Sequence, residues 1–177
     1  MRWTIECASP EETEAIGEAL GELLCAGDLV DLRGNLGAGK TCLTRGIARG
    51  LGSGEPVRSP TFTICQVHRG EPNLFHLDAY RLEEPEELLI QGWDEMRQRG
   101  VVVIEWGERV EELLPKDRLE VGLEHRPSAD GSLRAGEISP RKLTFHPRGP
   151  LSERILSGLV DRGALEAPSL PRERRGD

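Results

Sequence analysis

The sequence predicts a three-layer α/β domain built around a mixed sheet. Three observations point there: two strand–helix units follow one another at the start, a fully apolar four-residue run stands mid-chain, and shorter strand candidates follow it. At roughly 100–200 residues per domain, 177 residues make one domain with room for a real core.

Each element has its own signal. Arg2–Cys7 reads as a short strand. Ser9-Pro10-Glu11-Glu12 then combines a Ser N-cap, Pro at the first helical position, first-turn acids and Glu12 closing a capping box. Ile16, Leu20, Leu23 and Leu24 give that helix an inward face. Gly27-Asp28 leads to a strand at Leu29–Leu32, where Asp31 is out of place unless one face is partly polar or the carboxylate finds a partner. The turn Gly34–Gly39 opens a second helix with Leu43, Ile47 and Leu51 in register, broken by Gly50–Gly54. Val57–His68 is rich in β-formers and predicts an extended segment, Arg69–Pro72 a hairpin turn, and Asn73–Asp78 the returning strand. Pro85 predicts an acidic helix with Leu89, Trp93 and Met96 on one face. Val101–Ile104 is the most apolar run and predicts a central parallel strand; Leu119–Leu123 and Lys142–Phe145 predict further, antiparallel strands. Ile155, Leu156, Leu159 and Val160 suit a short amphipathic helix. Pro168–Asp177, rich in Pro and Arg, predicts disorder. The division is a domain over 1–147 and an extension over 148–177, partly helical and then disordered.

Composition removes several functions. Lys+Arg 23 against Asp+Glu 31 leaves a formal charge of -8, against the basic face of a free-standing DNA or RNA binder. No stretch reaches the 18 apolar residues of a membrane span, and Met1–Glu6 carries no signal-peptide core. Cys7, Cys25, Cys42 and Cys65 form no CxxC pair or zinc spacing; they read as reduced, small core hydrophobes of a cytoplasmic protein.

The chemistry concentrates in Gly34-Asn35-Leu36-Gly37-Ala38-Gly39-Lys40-Thr41, a complete GxxxxGK[ST] P-loop between a strand and a helix. Glycines let successive backbone amides wrap a phosphate, and the helix N-terminus aims free N–H donors at it. Lys40 suits the β- and γ-oxygens, and the Thr41 hydroxyl suits Mg²⁺. Such a site needs an acid at a neighbouring strand end, and Asp78 and Glu105 both stand there. Trp106, next to Glu105, either touches the nucleotide or simply packs. His76, inside an apolar strand, reads as a structural histidine. Ser59–Thr63 is a hydroxyl-rich strand or a switch segment. The acidic run Glu83–Glu95 is a solvated helix face or a docking patch for a basic partner.

Taken in order, the P-loop, Ser59-Pro60-Thr61-Phe62-Thr63, His76-Leu77-Asp78-Ala79-Tyr80-Arg81-Leu82, Pro85-Glu86-Glu87-Leu88 and Ile104-Glu105-Trp106 resemble the bacterial TsaE (YjeE) family over roughly residues 5 to 125. The resemblance implies a P-loop NTPase-like α/β fold, ATP and Mg²⁺. It also implies work with threonylcarbamoyl-transferase proteins of the TsaD and TsaB type on ANN-decoding tRNAs. Lys40 and Thr41 then sit on phosphates and metal, Glu105 is a second Mg²⁺ ligand, Asp78 is the switch-type acid near the γ-phosphate, and Thr13 lies near the adenine. Asn35 and Cys42 depart from the pattern, which commonly has an acid and a second Thr there. At -8 the chain meets tRNA through its protein partners. A small-molecule kinase and a nucleotide-gated, non-hydrolytic adaptor remain open alternatives; no NKxD-type guanine reader supports a GTPase.

Overall fold

The computed structural model describes residues 2–58, 63–126 and 140–165. Their order is β1 (Trp3–Cys7), α1 (Pro10–Gly21), β2 (Leu29–Arg33), α2 (Lys40–Gly50), β3 (Cys65–His68), β4 (Asn73–Asp78), α3 (Glu87–Ile90), α4 (Trp93–Arg99), β5 (Gly100–Glu105), β6 (Leu119–His125), β7 (Arg141–Pro147) and α5 (Pro150–Asp161), with 3₁₀ segments at Ala79–Arg81 and Gly107–Leu113. The strands form one mixed sheet in the order β1-β7-β6-β2-β5-β4-β3. β2 is central and parallel to both β5 and β6, and β4 is parallel to β5. The predicted three-layer α/β fold with a parallel core is what the chain adopts.

The pleat divides the core in two. Val30, Leu32, Val101, Val103, Val121, Leu143 and Phe145 face α1, α2 and α5, while Leu29, Leu77, Val102 and Ile104 face Leu88, Trp93, Met96, Val110 and Leu114 on the other side. α5 brings Ile155, Leu156 and Leu159, all buried, into the first of these cores.

Several expectations need correction. Leu119–His125 pairs antiparallel with β7 but parallel with β2, because the chain crosses over between β5 and β6 through the 3₁₀ segment. The acidic helix is two short helices, since Gly92 at φ 82 ends one and starts the next; Leu88, not Leu89, is therefore the buried member. Only Cys65–His68 of the Val57–His68 stretch is strand, with 59–62 outside the described residues. Ser9 caps α1 as expected, yet the Glu12 carboxylate accepts from the Ala8 amide, one residue before the Ser9 amide of a capping box. Cys7 alone among the cysteines is buried; Cys25 lies exposed in the turn before β2, and Cys42 and Cys65 are partly covered. The Pro168–Asp177 tail lies outside the described residues. No helix of the described residues is long and apolar enough to cross a membrane.

α1 and α2 are joined along glycines. A Cβ at Gly17 or Gly21 would strike the carbonyl of Leu43 or Ile47, and one at Gly46 or Gly50 the carbonyl of Glu14 or Glu18. Two small-xxx-small faces thus let the backbones touch, and Arg45 and Arg49 pair with Glu14 across the seam. α2 begins at the P-loop, so this contact holds the loop's helix in place.

Candidate functional site

The site begins where β2 ends. Gly34 at φ 147, Gly37 at φ 79 and Gly39 at φ 106 all occupy backbone that favours glycine. A Cβ on Gly34 would also strike the Leu123 carbonyl, so the loop lies flush against β6. Gly39 caps α2 without a side-chain hydrogen bond, leaving the first-turn amides without side-chain acceptors. That is the anion-binding end of a helix dipole.

Around it opens a cleft of about 490 Å³ lined by Leu36, Gly37, Gly39, Lys40, Thr41, Asp78, Tyr80, Arg81, Glu105 and Trp106. Three separate chain segments therefore meet, as open parallel sheets arrange at their carboxyl edges. β4 and β5 run in register with Asp78 opposite Glu105, so both acids reach the edge together beside the P-loop.

Lys40 is almost wholly buried. Its ammonium donates to the carbonyls of Gly34 at 2.7 Å and Asn35 at 3.1 Å, and sits 4.1 Å from the Trp106 ring centre. Burial pushes its pKa below the usual lysine value, opposed by Glu105, Asp78 and Glu108. Thr41 Oγ1 donates to Glu105 Oε1 at 3.1 Å. Asp78 accepts from the Tyr80 amide at 3.0 Å; burial pushes its carboxyl up, that hydrogen bond pulls it down, and nearby Glu105 raises it further. Trp106 alone among described non-glycine residues has a positive φ, 61°. This conformation costs about 1–3 kcal/mol and folds the indole back over Lys40, with the Tyr80 ring 5.2 Å away.

Of the residues singled out in the sequence, Leu36, Gly37, Gly39, Lys40, Thr41, Asp78, Glu105 and Trp106 line one cleft. Gly34, Asn35 and Ala38 shape the loop without lining it. Cys42 faces α1, its thiol donating to the Pro10 carbonyl at 3.2 Å. Thr13 is fully buried in α1, donating to the Ser9 carbonyl, with the Arg141 guanidinium 3.4 Å from its oxygen. Arg141 packs over Gly39, so this arginine links Thr13 to the P-loop.

Sequence reasoning missed three residues: Tyr80, which lines the cleft beside Trp106, Arg81 and His76. Arg81 adds a cation to the cleft wall, and its spacing from Asp78 across one 3₁₀ turn was the available signal. His76, read as structural, places Nε2 2.9 Å from Glu105 Oε1. Its alternation with Asp78 on β4 was readable, but the register against β5 was not.

The residues fit a magnesium nucleotide. The glycine cradle holds left-handed backbone at Gly34, Gly37 and Gly39, one ammonium faces the cleft, and a hydroxyl and two carboxylates offer the hard oxygens Mg²⁺ prefers. Among the described residues no three His, Cys, Asp or Glu side chains form a metal cluster.

Comparison with known proteins agrees in one direction. The family model described as Threonylcarbamoyl adenosine biosynthesis protein TsaE matches residues 7–133. The tRNA threonylcarbamoyladenosine biosynthesis protein TsaE of Bacillus subtilis is 38% identical over 161 residues, covering 90% of this chain and 93% of the relative. Its Treponema pallidum counterpart is 44% identical over 125 residues, 70% of this chain and 91% of the relative. A crystal structure of Bacillus subtilis YdiB superposes with a TM-score of 0.73 at 30% identity, covering 92% of this chain and 97% of that one.

Proposed function

The chain belongs to the TsaE family of tRNA threonylcarbamoyladenosine biosynthesis, and we propose that it serves there as an ATP-binding, Mg²⁺-dependent P-loop ATPase. The observation that carries this reading is the convergence of Lys40, Thr41, Asp78 and Glu105 on one cleft at the N-terminus of α2. The P-loop amides and Lys40 bind the β- and γ-phosphates. Thr41 and Glu105 hold Mg²⁺, and Asp78 stands by the γ-phosphate. Bound magnesium supplies charge neutralisation of the phosphate oxygens. For Lys40 to reach a phosphate its ammonium exchanges the neutral carbonyl acceptors of Gly34 and Asn35 for anionic oxygens, so that both partners of each bond carry charge.

Turnover by the isolated chain is slow, since positioning and partner-supplied groups dominate phosphoryl transfer. A cytoplasmic complex with proteins of the TsaD and TsaB type completes the function, and with a net charge of -8 the chain reaches tRNA through them. Lys40→Ala and Thr41→Ala test the reading. Each removes on the order of 3 kcal/mol of transition-state stabilisation, roughly a hundredfold in ATP turnover. Near-normal turnover in both variants defeats it, and recovery of TsaD- and TsaB-type proteins from a bacterial lysate with ATP tests the partner assignment.

A further inference from the structure

His76 is fully buried on β4, opposite Val103 of β5 and two residues before Asp78. Its Nε2 donates to Glu105 Oε1 at 2.9 Å, which fixes the tautomer because a carboxylate oxygen only accepts. Nδ1 is buried with no hydrogen-bond partner among the described residues. The imidazole thus makes one polar contact, and it is with Glu105. A position needed only for packing takes an aliphatic side chain without this desolvation cost. Behind it His68, also buried, lies with its ring centre 6.1 Å away.

The consequence falls on Glu105. Oε1 receives both the His76 N–H and the Thr41 hydroxyl, whereas Oε2 has no hydrogen-bond partner among the described residues. Thr41 belongs to the proposed metal site itself, so His76 is the one donor that orients the carboxylate from outside that site. We propose that His76 is a positioning residue: it ties down one oxygen of Glu105 and so presents the other to Mg²⁺. This rests on the nucleotide reading above. Outer hydrogen bonds to metal-holding groups set affinity in this manner, and their loss costs about 10–100-fold in metal binding.

The test compares wild type with His76→Leu, His76→Gln and His76→Asn, using calorimetric titration with a non-hydrolysable ATP analogue across a Mg²⁺ series that includes metal-free buffer. The leucine variant is expected to raise the Mg²⁺ midpoint about 10–100-fold while leaving metal-free analogue affinity unchanged. Glutamine, whose amide nitrogen extends to where Nε2 lies, restores the midpoint; asparagine, too short, does not. A merely structural histidine would lower thermal stability without moving the midpoint, and that result overturns the proposal. If leucine prevents folding, the glutamine–asparagine pair decides alone, equal midpoints refuting it. Wild type showing no analogue binding would instead overturn the nucleotide reading, and this inference with it.

Discussion

Replacing Gly46 by alanine is expected to destabilise the protein, although the same change in an exposed helix stabilises it. A methyl at Gly46 would meet the Glu14 carbonyl oxygen head-on and lie 2.8 Å from Gly17 Cα and 2.9 Å from the Glu14 carbonyl carbon. All three are main-chain atoms, so no rotamer change relieves the contact. α1 must move away by about 1 Å, loosening its packing along the whole seam. Overpacking of this kind costs up to about 3 kcal/mol, and alanine's better helix propensity returns about 1 kcal/mol. The net loss of about 2 kcal/mol lowers Tm by about 4–8 °C in a domain of this size. Gly54→Ala is the control, since a Cβ there meets nothing within 4 Å. Thermal denaturation followed by circular dichroism reads both. A Gly46→Ala midpoint at or above wild type, or an equal drop in Gly54→Ala, refutes the backbone-contact argument.

Glu105→Gln is expected to raise the Mg²⁺ needed for ATP turnover more than Asp78→Asn does, because Glu105 alone of the two bonds Thr41; the reverse order in a Mg²⁺ titration reverses their roles. Arg118→Met leaves the fully buried Asp31 with Arg33 alone, and since losing a buried partner costs about 3–5 kcal/mol while Arg33 remains, about 2–3 kcal/mol is expected by urea unfolding. Combining it with Asp31→Leu should recover part of that loss. Burial pushes the Cys65 thiol up to about 11, so the thiolate is disfavoured by folding and this residue's stabilising contribution, complete below pH 9, fades as pH rises toward 11. Alkylation at pH 8 followed by mass spectrometry should accordingly modify exposed Cys25 well before Cys65.

Local signals were legible and long-range ones were not. The P-loop carries its conformation in adjacent residues, and the acids at the ends of β4 and β5 announce themselves by ending apolar runs. The helix break at Gly92 was equally local, yet an isolated Gly inside an apolar period is compatible with a continuous helix. The direction of β6 depends on which strand it joins, and no pattern within Leu119–His125 encodes that. Gly17, Gly21, Gly46 and Gly50 read as weak helix formers until α1 and α2 are laid together; their meaning lies in the neighbour's carbonyls. His76 is the same case, since Glu105 is 29 residues away and met only through the parallel register.

Asp31 joins these two kinds of information. Its carboxylate, anomalous in a central strand, takes two hydrogen bonds from Arg33, at 3.0 and 2.7 Å, and one from Arg118 at 3.3 Å. Both arginines also pair with Glu111 of the 3₁₀ segment after β5. That segment starts at Gly107, whose missing side chain leaves room for Asp31, since a Cβ there would come within 2.7 Å of its carboxyl carbon. The preceding residue, Trp106, donates its amide to the Leu32 carbonyl at 3.1 Å. The chain leaving β5 is therefore fastened to β2 on both sides of its sharp turn. This fastening sustains the left-handed Trp106 and, through it, the indole over Lys40. Removing the polar cluster at Asp31 should thus reach the cleft as well as the core, although Asp31 itself is not among the residues that line the cleft.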